Sequence, residues 1–178
     1  MRSPRQEQLR REAARMFAAF GYHGVSIEDL GASVGISGPG VYRHFPSKDA
    51  LLADLLVGIS EELLENGRVE VAGSRSPAEA LGRLVDKHLA FSLGEPDLIR
   101  VQDRDFASLS PPDQRQVRRL QREYVELWVD QLVPPLTRDD ARARAHAVFG
   151  LLNATPHIED AESRAPVLKA MALAALAA

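Results

Sequence analysis

Between Ser26 and Lys48 the chain reads SIEDLGASVGISGPGVYRHFPSK, and its chemically able side chains are hydrogen-bond donors without any catalytic partner. Arg43 carries a forked guanidinium that can bond guanine O6 and N7 together, a contact worth about 1–3 kcal/mol of discrimination between bases. Gly38, Pro39 and Gly40 ahead of it leave a small surface that permits close approach to a groove, and the Pro39 ring suits a thymine methyl. Tyr42 and His44 flank Arg43. This is recognition chemistry. No Ser/His/Asp spacing, nucleophile elbow, phosphate-binding glycine loop or pair of histidines at i, i+4 occurs, and the five histidines are scattered. No enzyme is expected, and no catalytic residue, metal ligand or cofactor is assigned.

The elements that must hold these residues are two short helices. Ser26 with Asp29 forms a capping box: the serine oxygen accepts from the Asp29 amide, and the carboxylate reaches back to the residue 26 amide. Ile27, Leu30 and Val34 follow as one apolar stripe, and Gly35 stands where a left-handed C-terminal position is wanted. Ile36 buries the turn, Ser37 offers a second N-cap, and Val41 with Phe45 gives the next helix an inner face. The outer face is small at its front and polar or aromatic at its back, as suits a helix presented to DNA.

The same residues resemble the N-terminal signature of TetR-type transcriptional regulators. The resemblance rests on Ser26-Ile27 with Asp29-Leu30, Val34-Gly35-Ile36-Ser37, Val41-Tyr42-Arg43-His44-Phe45 and Ser47-Lys48-Asp49-Ala50-Leu51, and it covers roughly residues 5–56. Ser26 stands where threonine is usual, Gly31 where alanine is usual, and Pro39 enters the first turn of the recognition helix, where its missing N–H is tolerated. By residue type and by the resemblance, Ser26, Ser37, Tyr42, His44 and Lys48 are expected to hold phosphates, which positions the protein without specifying sequence. The family further implies an all-α fold, dimerisation through the last two helices, and a variable C-terminal domain that answers a small molecule.

Charge agrees with that layout. The net charge of the 178 residues is -3, yet residues 1–52 carry seven Lys/Arg against five Asp/Glu while residues 53–178 carry fifteen against twenty. The basic portion is the one holding the motif. The absence of cysteine excludes disulfides and thiolate zinc sites, and no apolar run approaches a membrane span or secretory signal, so a cytoplasmic protein with no membrane partner is expected.

Helical periodicity continues along the chain, and nothing alternates with period two for long enough to make a strand. Residues 5–21 place Leu9, Ala13, Met16, Phe17 and Phe20 on one face before Gly21, with Arg2, Arg5 and Arg10 near the exposed start, available to phosphates or merely solvated. Ser47 caps a fourth helix, and Gly67, Gly73 and Ser74 suggest a break over residues 66–75. Ser76-Pro77-x-Glu79, Ser110-Pro111-Pro112-Asp113 and Thr137 with Asp140 are further helix starts, with a shorter helix over residues 97–109. A last Ala/Leu-rich helix is expected over residues 166–178. The expected architecture is all-α with about nine helices: a three-helix helix-turn-helix DNA-binding domain over residues 1–48, then a larger helical ligand-binding and dimerisation domain over residues 49–178.

The C-terminal part offers candidates for an effector site. His88, Phe91, Arg104, Phe106, Tyr124, Trp128, Phe149 and Asn153 lie on helices that could enclose an apolar cavity with few polar groups. Aromatics at helical spacing equally describe an ordinary core, and Asn153, Thr155 and His157 equally describe a helix end before Pro156. Arg115, Arg118, Arg119 and Arg122 read either as a solvated face paired to residues such as Glu126 or as a receptor for a phosphate-bearing ligand. A small hydrophobic effector is expected; an acyl-coenzyme A is one candidate and a drug-like aromatic compound another. Leu168, Met171, Ala172, Ala175 and Leu176 give the last helix a face wide enough to meet its own copy. The reading is a homodimeric repressor that binds a palindromic double-stranded DNA operator and is released by its effector. The alternative is a helical interaction protein that keeps the helix-turn-helix only as scaffold.

Overall fold

The computed structural model describes residues 3–177, and among them all regular structure is helical. Nine α-helices follow in order: α1 Pro4–Phe20, α2 Ile27–Ser33, α3 Gly38–Val41, α4 Lys48–Ala72, α5 Pro77–Gly94, α6 Pro96–Asp105, α7 Pro111–Leu132, α8 Arg138–Leu152 and α9 Ala161–Ala177. Short 3-10 turns follow α6 and α8. No described helix is long and apolar enough to cross a membrane.

The chain divides into two compact units. The first holds the described residues up to Ile59 together with Asp97–Val117; the second holds Ser60–Pro96 and the residues from Arg118 onward. Both α4 and α7 therefore contribute to each unit, and α6 belongs with the N-terminal helices.

Most helix starts are where the capping residues put them. Ser3, Ser26, Ser37, Ser76 and Thr137 each accept a hydrogen bond from an amide of the first turn, and Pro77 occupies the first turn of α5. Gly21 and Gly35 take positive φ, +81° and +72°, and end α1 and α2.

Two expectations about helix bounds fail. The break expected over residues 66–75 is absent, because α4 runs unbroken to Ala72. Gly67 is a packing glycine: a Cβ there would lie 2.7 Å from the Tyr124 ring of α7, so its lack of side chain lets α4 press against α7. The last helix starts at Ala161, five residues before the expected position, and carries Pro166 inside it. Pro166 is the sixth residue of that helix, beyond the amides that lack intrahelical partners, so it forfeits a bond to the Glu162 carbonyl and the helix continues across it.

Candidate nucleic-acid interface and inner cluster

The first unit builds the turn between α2 and α3 from small, tightly spaced parts. The Ser26 capping box is complete: Asp29 N donates to Ser26 Oγ (3.1 Å), while Ser26 N (3.0 Å) and Oγ (2.6 Å) donate to the Asp29 carboxylate. The Ser26 hydroxyl and then its amide hold that carboxyl below its usual pKa. After α2 the chain folds back so sharply that Ile36 N donates to Gly31 O at 2.9 Å. A Cβ at Gly31 would lie 2.7 Å from the Ile36 carbonyl oxygen, a spacing real side chains do not show. That explains why glycine stands where the resemblance would put alanine: the turn is closed upon it.

Behind the turn, Leu30, Val34, Val41 and Phe45 are buried as expected, but α3 ends at Val41, so Tyr42, Arg43, His44 and Phe45 stand in the turn that follows it and not on a longer helix. Arg5 donates to the Val34 carbonyl (2.8 Å), which ties α1 to the end of α2, and Arg10 pairs with Asp54 of α4 at 3.0 Å. Neither arginine is merely solvated. Arg2 lies outside the described residues.

The outer side carries the expected recognition residues, though not all are equally available. Ser26, Ser37, Pro39, Tyr42 and Arg43 are exposed, Tyr42 at 52%. His44 is half-buried, its carbonyl accepting from Gln6 at 3.4 Å, and Gly40 is half-buried against Ile36. Gly38 is buried, and a Cβ on it would meet the Glu28 carboxylate at 3.1 Å; its role is to seat α3, not to offer surface. Lys48 is engaged within the protein. Its ammonium donates to the carbonyls of Tyr22 (3.0 Å) and Val25 (2.9 Å) and sits 4.4 Å above the Tyr22 ring. Tyr22 in turn donates its hydroxyl to Asp49, and burial, with that carboxylate, raises the phenol's pKa. Lys48, Asp49 and Tyr22 thus clasp the loop before α2 to the start of α4, leaving one ammonium N–H uncommitted.

In the second unit six of the eight expected effector-site residues come together. His88 of α5, 3% exposed, donates from Nε2 to the Asn153 amide oxygen (2.9 Å) and accepts at Nδ1 from the Tyr124 hydroxyl (3.3 Å). An amide oxygen can only accept, which fixes the proton on Nε2. Four rings pack around His88: Phe91, Tyr124, Trp128 and Phe149, with centroids 5.0–6.2 Å from the imidazole. Trp128 is fully buried, and its indole N–H makes no hydrogen bond of good geometry, although it lies near enough to Tyr124 to ease ionisation slightly against the dominant effect of burial. Burial pushes the His88 pKa down to about 4, with Asn153 opposing, so the imidazole is neutral at physiological pH. Thr155, also buried, donates to the Ser92 carbonyl at 2.9 Å, and His157 is exposed.

Arg104 and Phe106 do not join this cluster. They lie in the first unit, where the Arg104 guanidinium donates to the carbonyls of Phe17 and Ala18 at the end of α1 and is braced by the buried carboxylate of Asp105. Helix-end carbonyls lack intrahelical partners, and a cation near them is favoured by the helix dipole. No sequence signal marks that pairing, since the partners are 86 and 87 residues apart.

Along α7 the arginine cluster separates. Arg118, Arg119 and Arg122 line a groove of about 830 Å³ in the second unit with Arg68 and Arg142, whereas Arg115 does not. Glu126, expected as a partner within α7, instead takes Arg142 (2.8 Å) and Arg138 of α8, whose bonds lower its pKa.

Part of the exposed surface of α8 and α9 is apolar, although three of the residues expected to meet a second copy are spent inside the chain. Leu168, Ala172 and Leu176 are buried, while Val167 and Met171 are 56% and 50% exposed, and Ala143, Ala147 and Gly150 form an exposed row on α8.

Comparison with known proteins gives a consistent result. A family model described as bacterial regulatory proteins, tetR family, matches residues 9–55, and a tetracyclin repressor-like C-terminal domain model matches residues 74–157. The HTH-type transcriptional repressor KstR2 of Mycobacterium tuberculosis is 27% identical over 129 residues, which span 72% of this chain and 64% of that protein. A TetR-family transcriptional regulator from Bordetella parapertussis superposes with a TM-score of 0.85 at 26% identity, over 98% of this chain and 93% of that one. The regulator FadR from Bacillus subtilis, solved in complex with stearoyl-CoA, shares the fold with a TM-score of 0.71 at 15% identity, over 95% and 98% of the two chains.

Proposed function

The chain belongs to the TetR family of bacterial regulatory proteins, and on that premise we propose that it is a ligand-responsive transcriptional repressor that grips a palindromic operator as a homodimer. The observation that carries the reading is the exposed Pro39, Tyr42 and Arg43 surface, held by a turn closed on Gly31, where a Cβ would lie 2.7 Å from the Ile36 carbonyl oxygen. Arg43 reads a base edge, most simply a guanine. Ser26, Ser37, Tyr42, His44 and the uncommitted N–H of Lys48 hold phosphates, and Gly38, Pro39 and Gly40 set the approach.

Pairing of two copies through the outward rows of α8 and α9 buries Val167 and Met171, which a single chain leaves wet. A two-fold dimer presents two α2–α3 turns, matching half-sites about 34 Å apart.

The effector is a small hydrophobic molecule received among His88, Phe91, Tyr124, Trp128, Phe149 and Asn153. The rings touch one another edge-on or stacked, so a ligand enters by shifting them, and the free Trp128 N–H and the neutral His88–Asn153 pair supply its polar contacts. An acyl-coenzyme A is the favoured class, supported by the stearoyl-CoA complex of the related fold. Release of an operator held at 99:1 requires about a 10⁴-fold ligand preference for the unbound conformation.

Selection from random duplex DNA with the purified protein, followed by titration of the selected site with acyl-coenzyme A thioesters, tests the reading. Enrichment of an inverted repeat whose affinity drops on ligand addition is the expected result. Failure to retain any duplex would favour the alternative of a helical interaction protein with the helix-turn-helix as scaffold.

A further inference from the structure

We propose, resting on the operator reading above, that Glu28 of α2 determines part of the DNA sequence preference by accepting a hydrogen bond from the amino group of one cytosine in each half-site. The front of α3 cannot read a base by itself. Gly38 and Gly40 have no side chain, and Pro39 has an apolar ring and no N–H, so the first three residues of α3 offer a groove no side-chain hydrogen bond.

A carboxylate from the preceding helix stands in that gap. Its Oε1 lies 3.1 Å, and its Cδ and Cγ 3.5 Å, from the point a Gly38 Cβ would occupy, so the bare residue 38 makes room for the acid. Glu28 is exposed and makes no hydrogen bond or ion pair among the described residues, whereas its neighbour Asp29 is spent on the Ser26 capping box. Both acids stand in the first turn of α2, where the helix dipole favours negative charge. That benefit does not require the Glu28 side chain to reach across to α3.

An unpaired carboxylate on a surface that meets DNA is repelled by the phosphates, and the cost is offset only at a base edge that donates. A carboxylate has no proton to give. Guanine shows it two acceptors in the major groove, thymine an acceptor and a methyl, and adenine an amino group beside the acceptor N7. Cytosine alone presents an amino donor with no acceptor on its own edge. The residue type therefore names the base, and repulsion where that donor is missing lowers binding to other sequences.

Parallel selections from random duplex DNA with the intact protein, Glu28→Gln and Glu28→Ala test this, with affinities for the selected site and for random duplex measured at low and high salt. The unaltered protein should enrich an inverted repeat with cytosine at one position of each half-site, preferred there by about tenfold. Glu28→Gln is isosteric and can both donate and accept, so it should move that position to adenine. Glu28→Ala should leave the position open to all four bases with the rest of the repeat unchanged. Both variants should bind random duplex about threefold more tightly at low salt, and the difference should shrink at high salt. A repeat whose every position keeps its preference in both variants would overturn the role of Glu28 and leave the operator reading standing. No enrichment by the unaltered protein would overturn both.

Discussion

The α2–α3 turn and the cluster around His88 solve opposite problems. In the turn the polar and aromatic groups face outward, and what is buried behind them is glycine backbone and aliphatic side chain. Around His88 the polar groups face inward, and their hydrogen bonds are made to one another across α5, α7 and the end of α8. The first arrangement leaves donors free for a partner already in water; the second pairs His88 with Asn153 and Tyr124 and leaves the Trp128 N–H alone without a good partner. An exposed turn can be specified locally, while an inner cluster exists only when distant helices meet.

The sharpest way to break that contrast is to empty the inner site. Trp128→Ala removes the largest fully buried side chain and should cost about 3–5 kcal/mol in urea unfolding. A cost near zero would mean that the ring lines open space rather than filling a core.

Protonation should produce an effect of about 3 kcal/mol. His88 has its pKa pushed down to about 4 in the folded chain, against about 6.5 unfolded, so the unfolded state takes up the proton first. Stability should be full above pH 6.5, fall as pH drops from there toward 4, and gain no further loss from this group below it. His88→Gln should flatten that part of the stability–pH curve. An unchanged curve would show the imidazole to be reachable by water.

Steric tightness of the turn is tested by Gly31→Ala. The added methyl should cost about 1–3 kcal/mol of stability, because the Ile36 carbonyl has to retreat. A neutral outcome would show that the turn opens cheaply.

Smallest, and purely at the surface, are the recognition variants. Arg43→Ala should lose about 1–3 kcal/mol of preference for the selected site over random duplex while affecting the melting temperature little. Lys48→Ala should instead weaken all sequences alike and lower the melting temperature, since its ammonium also holds the Tyr22 and Val25 carbonyls. Equal losses on target and random DNA for Arg43→Ala would remove it from base reading.

Legibility in the sequence follows the same division. Ser26 with Asp29, Gly35, Ser37, Pro77 and Thr137 could be placed because caps and left-handed glycines act within three or four residues of themselves. The inward face of Val41 and Phe45 followed from periodicity alone. Gly67, by contrast, reads locally as a helix breaker, and only the Tyr124 ring, more than fifty residues away, makes it a helix-packing residue. Arg104 looks like a pocket cation for the same reason: its partners are carbonyls of a distant helix, and backbone carries no letter in a sequence. Six of eight inner residues did converge, since aromatic and amide side chains on facing helices have few other places to go, but whether their rings leave a void depends on side-chain angles that periodicity does not encode.

The bare stretch of α4 at Gly67 has a mechanical consequence. A tyrosine ring seated directly on main chain has no intervening methyl as cushion, so the phenol that bonds His88 and the backbone of α4 share one contact. A single methyl added there would lie 2.7 Å from the ring, and either the ring or the helix would have to give way.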